Sequence, residues 1–372
     1  MAETPSGSKP EGVAAATRPE RLSEAVASSG FDALLVTRPV NIEYLTGFTG
    51  TNAACLTGPD IRVFLTDFRY ADRAATEVAG WDVEIVDGEW LAGVARCVSE
   101  YVPGGTAGIE EDHLTMRTGK LLTKQLTGGL SLADSGGMVE RLRRSKDAVE
   151  VAAIAAAAEL TDSIYSELFE RGLVGRTEAD VAGYAVGRMR EHGAEPSFTP
   201  IVAAGPNGAS PHAEPGPREI REGELVVIDM GSRLDGYCSD CTRTVATGEI
   251  EDEASRIYEV TLRANQSALE AVAAGRSAAE IDGVARDLIT RAGYGEQFGH
   301  GLGHGVGMEI HEAPRLGPRS DDTLIAGDVV TVEPGIYLSG RYGVRIEDLV
   351  VVSADGISRN LSSHPKDLIK VD

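Results

Sequence analysis

GELVVIDMG (residues 223–231) carries four apolar residues into an aspartate, Asp229, between two glycines, and GDVVTVEPG (327–335) repeats the design with Glu333. A short apolar run bounded by turn residues reads as a buried strand. A carboxylate on such a strand must be paired or neutralised, because burying it bare costs many kcal/mol. Ahead of each run stands a helical pattern. RTEADVAGYAVGRMREHG (176–193) lies over RSAAEIDGVARDLITRAG (276–293) at an offset of 100, with Arg, Ala, Gly, Ala and Gly coinciding at 176, 179, 183, 185 and 193. Both open on a capping-box pattern, Thr177 with Asp180 and Ser277 with Glu280, and both end on Gly. His212 in PHAEPGPR parallels His311 in IHEAPRLGPR. Helix, histidine and acid-bearing strand recur in one order, which indicates a duplicated α/β half with Asp229 and Glu333 facing each other.

Two further acids sit in apolar surroundings: Asp240 in SDCTRT and Glu347 in VRIEDLVVV. Any one of the four reads as an edge residue or an ion-pair partner. Four together, with a glycine-flanked histidine, fit metal binding better. Oxygen-rich ligands with one imidazole suit hard or borderline divalent ions, Mn²⁺ first, with Co²⁺ and Zn²⁺ as alternatives. Four carboxylates balance two such ions in charge, and a pair about 3.5–4 Å apart clamps an attacking and a departing oxygen.

The histidine comes from GHGLGHGVGMEIHE (299–312), which has glycine at every odd position from 299 to 307 and three of the chain's 7 histidines, His300, His304 and His311. Such alternation is expected to clear one face of an extended chain for substrate or metal, with His300 and His304 on the other. A HExxH zinc helix, a Walker loop, a GxGxxG fingerprint and a GxSxG elbow are all missing from the sequence. Cys238 and Cys241 form a CxxC that could be half a zinc site or a redox pair. No second CxxC completes a tetrahedral site, and residues three apart on an extended chain point to opposite faces.

At 372 residues the chain is comfortable for two domains. Residues 1–18, small and polar, read as a disordered tail. Residues 19–142 read as an α/β module, with strands at FDALLVT (31–37) and RVFLTDF (62–68) and helical stretches near 19–29 and 69–79. A boundary near 140–145 opens a long Ala-rich helix and the second domain, 143–372. The balance of 58 acidic to 35 basic residues gives a net charge of −23, which argues against nucleic acid and anionic membrane as partners. No apolar run approaches membrane length and no secretory leader is evident, so a cytoplasmic protein is expected.

VVIDMGSRLDGYCSDCTRT, GHGLGHGVGMEIHEAPR, TVEPGIY and GVRIEDLVVV together resemble the pita-bread metallopeptidases, and NIEYLTGFTG with LTDFRYADRA resembles the creatinase-type domain that precedes the catalytic half in their proline-specific branch. The resemblance implies an α/β (α+β) chain, a creatinase-like N-terminal domain followed by a duplicated pita-bread domain. It implies Asp229, Asp240, His304, Glu333 and Glu347 as ligands of two divalent ions. Asp240 and Glu347 would bridge both, Asp229 would sit on one, and His304 and Glu333 on the other. Glu333 would also act as general base, with His212 and His311 contacting the scissile peptide. His300 would line the cleft, Arg345 would support the cluster or the substrate, and Arg315 would meet a substrate carboxylate. The one departure is Cys241, at a position that does not carry the metal.

The reaction implied is hydrolysis of the bond between an N-terminal residue and a following proline by a metal-bridged hydroxide. The branches left open are Xaa-Pro aminopeptidase (aminopeptidase P) and the Xaa-Pro dipeptidases, or prolidases, of PepQ type. A homodimer acting on Xaa-Pro peptides is expected. The competing readings are a metal-free pita-bread binding module and a pita-bread hydrolase with a non-proline substrate.

Overall fold

A computed structural model describes residues 17–356 and 358–372. The described chain forms two compact units, one ending at Leu142 and the other running from Arg143 to Asp372. Of the tail expected over 1–18, residues 1–16 lie outside the described residues, whereas Thr17 is the N-cap of the first helix and Arg18 its first residue.

In order, the first unit contains α1 (Arg18–Ser29), β1 (Ala33–Val36), α2 (Pro39–Thr46), β2 (Ala53–Gly58), β3 (Ile61–Asp67), α3 (Ala71–Glu77), β4 (Asp82–Val86), α4 (Trp90–Tyr101), β5 (Thr106–Ile109), α5 (Met116–Gln125) and β6 (Ser131–Asp134). Its single sheet has the order β4-β3-β2-β1-β5-β6. β2 runs antiparallel to both neighbours, and the other pairs are parallel. Parallel strands are covered on both faces and so need continuous apolar runs; β1, ALLV, is buried throughout. Leu35, Leu56, Val63, Leu65 and Val98 lie in that core.

The long helix expected after 140–145 is present, with a short separate helix before it. α6 (Met138–Arg144) ends, and α7 (Ala148–Arg171) begins afresh. Asp147 restarts it: its carboxylate accepts from the backbone N–H groups of Val149 and Glu150, while Glu150 accepts from that of Asp147. These bonds satisfy N–H groups that have no partner inside the helix.

The second unit is built twice. The first half holds α7, α8 (Glu178–Glu191), β7 (Glu195–Pro196), β8 (Ile201–Ala204), β9 (Leu225–Met230), β10 (Ser232–Leu234), β11 (Tyr237–Cys238) and β12 (Cys241–Ala246). The second holds α9 (Asp252–Ala271), α10 (Ala278–Arg291), β13 (Gly303–Gly305), β14 (Glu312–Leu316), β15 (Val329–Val332), β16 (Gly335–Leu338), β17 (Tyr342–Arg345), β18 (Asp348–Val351) and β19 (Arg359–Asn360). Their sheets run β12-β9-β8 and β18-β15-β13, the second extended by β14 and β19. The same backbone bonds close both halves. Gly175 N–H donates to Ile220 O at 3.0 Å, and Gly275 N–H to Leu324 O at 2.8 Å.

Helices cover one face of each sheet. Ile164, Leu168, Val181 and Met189 share a core with Val226 and Ile228; Ile257, Ile281 and Ile289 share one with Val330 and Val332. Burying each such side chain stabilises by roughly 1.5–3 kcal/mol. The opposite face of the two central strands is therefore free to carry the polar chemistry.

Candidate metal centre and active site

A cavity of about 970 Å³ opens in the second unit, and all ten residues singled out in the sequence line it: Asp229, Asp240, Glu333, Glu347, His212, His300, His304, His311, Arg315 and Arg345. Asp229 lies within β9, and Asp240 precedes the first residue of β12. Glu333 follows the last residue of β15, and Glu347 lies between β17 and β18. Thr242 stands opposite Asp229 in the β9–β12 ladder, so the acids of the first half come from β9 and from the residue that leads into its neighbour β12.

The closest grouping is Asp240, His304 and Glu347, each offering a donor atom within 4.8 Å of the other two. His304 Nε2 is also 3.4 Å from Glu333 Oε1 and 3.6 Å from Asp240 Oδ2. The Nδ1 of His304 lies 3.0 Å from Gly305 O. A carbonyl only accepts, so Nδ1 carries the proton. Burial pulls the pKa of this ring below its usual value and keeps it neutral. Its Nε2 lone pair thus faces two carboxylates, a repulsive arrangement that a cation between them would relieve. Holding the second nitrogen of a ligating histidine on a carbonyl is how metal sites set the tautomer.

The carboxylates carry the same strain. Asp240 is 5% exposed and Glu347 1%. Burial, and then Glu347, Asp229 and Glu333, push the Asp240 pKa well above the carboxylate range. Burial, and then Glu333 and Asp229, do the same to Glu347, and burial raises Glu333. The Oδ1 atoms of Asp229 and Asp240 are buried without a hydrogen-bond partner, although native proteins pair most buried polar atoms. This donor set, four carboxylates and one neutral imidazole with orphaned oxygens, fits divalent cations.

Asp229 stands apart from the closest three, since its Oδ2 accepts from Arg345 Nη2 at 2.6 Å. Burial works against the Arg345 charge, but Tyr337, Asp229 and Glu333 outweigh it and hold the guanidinium protonated. Arg345 and Glu347 stand two residues apart, a spacing that would put both on one face of an unbroken strand. The strand is broken between them, yet both reach the Thr242 hydroxyl, which accepts from Arg345 Nε at 3.0 Å and donates to Glu347 Oε2 at 2.7 Å. Neither Thr242 nor Tyr337 was singled out in the sequence. The Tyr337 hydroxyl accepts from Arg345 Nη1 and lies 3.0 Å from His300 Nε2. Each of these bonds joins segments or strands whose meeting no local pattern announces.

His300 occupies a bend outside β13, so it does not share an extended face with His304. It packs on Phe298 and Tyr337. His311 and His212 are exposed on the cavity wall, with the His311 ring 4.4 Å from that of His304. Burial, and then His304 and Arg315, lower the His311 pKa. Arg315 is exposed and has no ion-pair partner among the described residues. Phe198, Pro200, Pro211, Ile310, Leu316 and Pro318 supply apolar wall.

The glycine alternation serves packing as well as access, since Gly299, Gly301 and Gly303 line the cavity. A Cβ on Gly303 or Gly305 would collide with the carbonyl of Thr331 or Ala313, one on Gly301 would meet Leu316 O at 2.7 Å, and one on Gly307 would meet the Glu312 carboxylate at 2.5 Å. Among these odd positions only Gly299 faces open space. Neighbouring backbone at Gly301, Gly303 and Gly305, and the Glu312 side chain at Gly307, exclude a side chain there. Cys238 and Cys241 are free and buried. Cys238 Sγ contacts Met308 O and Cys241 Sγ contacts Glu347 O, and burial pushes the Cys238 thiol up to about 11. Protonated thiols on separate carbonyls suit neither zinc nor redox use.

Comparison with known proteins agrees with this architecture. Residues 152–354 match the model of metallopeptidase family M24, and residues 18–145 that of the creatinase/prolidase N-terminal domain. An uncharacterized peptidase of Bacillus subtilis (strain 168), YqhT, is 36% identical over 94% of this chain and 99% of its own. The Xaa-Pro dipeptidase structure from Bacillus anthracis superimposes with a TM-score of 0.90 at 37% identity, covering 95% of this chain and 99% of that one. The X-Pro aminopeptidase from Thermotoga maritima MSB8 does so with 0.87 at 33% identity, covering 95% and 100%. The chain belongs to metallopeptidase family M24, with a creatinase-type N-terminal domain, and is a metal-dependent hydrolase.

Proposed function

We propose that this protein is an Xaa-Pro peptidase in which Asp229, Asp240, His304, Glu333 and Glu347 hold two divalent ions, Mn²⁺ in preference to Co²⁺ or Zn²⁺. The observation that carries the reading is the neutral His304 ring, tied to Gly305 O by Nδ1 and facing Asp240 and Glu333 with Nε2. The relatives named Xaa-Pro dipeptidase and X-Pro aminopeptidase support the substrate class.

Divalent ions bound here supply Lewis acidity and make water nucleophilic near neutral pH. The protein's own groups do the rest. Glu333, whose burial strengthens its hold on a proton, takes the proton of the attacking water and passes it to the leaving imino nitrogen. His311, neutral at working pH, donates a hydrogen bond to the developing oxyanion, and His212 contacts the scissile peptide from the same wall. His300 lines the cleft, held by Tyr337. Arg315 meets the substrate carboxylate, and Arg345 orients Asp229. The apolar wall of Phe198 and prolines suits a pyrrolidine ring and excludes water.

The same reading takes residues 19–142 as the N-terminal domain and 143–372 as the catalytic domain of a cytoplasmic homodimer. Among the described residues no helix is long and apolar enough to cross a membrane.

Metal-stripped protein assayed on Ala-Pro and Ala-Pro-Ala, with and without Mn²⁺, tests the proposal. Mn²⁺-dependent cleavage is expected, and the preferred length separates dipeptidase from aminopeptidase. Metal binding with neither peptide cleaved would remove the proline specificity. Failure to bind metal would remove the enzyme and leave a binding module.

A further inference from the structure

Two fully buried polar side chains sit 100 residues apart, the offset of the helical repeat, and touch the backbone beside every carboxylate of the centre. Tyr165 on α7 brings its hydroxyl within 2.8 Å of Ile228 O and 2.7 Å of Cys241 O. Asn265 on α9 donates from Nδ2 to Val332 O at 2.9 Å and Ile346 O at 3.3 Å. Ile228, Val332 and Ile346 immediately precede Asp229, Glu333 and Glu347, so their carbonyls belong to the peptides that carry those acids, whereas the Cys241 carbonyl belongs to the Cys241–Thr242 peptide, one residue beyond Asp240. Both side chains are 0% exposed. Lys366 Nζ donates to Asn265 Oδ1 at 2.9 Å and so fixes which face of the amide meets the carbonyls.

A hydrogen bond to a carbonyl fixes the peptide plane, and through it the direction in which the adjoining side chain leaves the backbone. We infer that Tyr165 and Asn265 are matching positioning residues, each joining the two ligand-bearing segments of one half and aiming that half's carboxylate pair at the bound ions. Tyr165 acts directly on Asp229 and, by holding the Cys241–Thr242 peptide, on the segment that carries Asp240; Asn265 acts directly on Glu333 and Glu347. The two are not equal in strength. A phenol has one proton and donates to one carbonyl at a time, whereas the amide has two and serves both. The inference rests on the ligand assignment proposed above.

Calorimetric titration of MnCl₂ into metal-free wild type, Tyr165→Phe, Asn265→Asp and Asn265→Ala, with the metal-free melting temperature of each, tests it. Wild type is expected to take up two equivalents. Each variant should still take up two, with one equivalent weakened by roughly ten-fold, as for loss of partners that orient metal ligands. The other equivalent should change less, and the Asn265 variants should be affected more than Tyr165→Phe. The Tyr165→Phe, Asn265→Asp double variant should weaken both. Should Asn265→Ala fail to fold, the isosteric Asp variant and Tyr165→Phe carry the test. Unchanged affinity at both equivalents would overturn the inference. So would equal weakening of both in step with a lower metal-free melting temperature, since a merely structural role predicts that. Wild type that binds fewer than two equivalents would instead overturn the ligand assignment, and the inference with it.

Discussion

The two halves of the catalytic unit share a frame and differ in what they do with it. Each has a helix pair, a three-strand core and an acid at the end of the central apolar run, and each draws two carbonyls onto one buried side chain. In the first half Asp229 is short, lies inside its strand and is matched by Arg345, which comes from the other half. In the second, Glu333 is longer and lies past the strand end, where Thr331 donates to it at 3.1 Å and His304 faces it. The neighbouring strands diverge too: β13 carries His304, whereas its counterpart β8, IVAA, carries no metal-ligating group. Duplication kept the groups that hold backbone in place. Divergence left Asp229 of the first half paired with an arginine and Glu333 of the second facing an imidazole lone pair.

The strongest way to break this contrast is at the acids both halves bring together. Asp240→Asn or Glu347→Gln should lower metal affinity by more than the roughly 10- to 100-fold typical of outer partners, and Mn²⁺-dependent activity with it, as measured by titration and peptide cleavage. Next comes the charge that pairs with Asp229. Arg345→Met leaves Asp229 buried without its partner, so unfolding in denaturant should show a loss of about 3 kcal/mol; an unchanged midpoint would mean that Asp229 is satisfied by something else.

The pH dependence sharpens the comparison from the other side. Asp240, Glu347 and Glu333 have pKa values raised in the folded, metal-free protein, with burial the largest cause. Over the range from the ordinary carboxylate pKa up to the raised ones, the folded state binds more protons than the unfolded state. Stability is therefore fully present below the unfolded pKa and declines as pH rises through the folded values. Thermal unfolding of metal-free protein should show that decline, and divalent metal should reverse it; a rise with pH across this range would contradict the assignment. The smallest effect is expected at the link between the halves. Thr242→Val removes the hydroxyl shared by Arg345 and Glu347, at a cost of about 1–3 kcal/mol in the metal-free protein, seen in the denaturation midpoint.

Much of this could be read along the chain, because the signals are local. The apolar runs ending in Asp229 and Glu333 show as strands, and the 100-residue echo of capped helices shows as a repeat. The order of acids and histidines shows as a family pattern. The glycines of 299–307 are legible as a pattern but only half as a cause: the alternation reads as clearance for a ligand, whereas the carbonyls of Thr331 and Ala313 also occupy the space beside Gly303 and Gly305. A chain cannot announce which backbone will lie against it.

Thr242 with Glu347, Arg345 with Asp229, and Tyr165 or Asn265 with their carbonyls are pairs separated by 63 to 116 residues. A Thr or Asn reads alike in sequence whether it faces water or holds a carbonyl beside a carboxylate, since either polar partner satisfies it. Residue types, periodicity and order thus established the frame and the chemistry of the donor set. Which groups hold those donors in place, and which acid is already paired with an arginine, followed only from packing, because a hydrogen bond between distant segments exists only once folding has brought them within 3 Å or so.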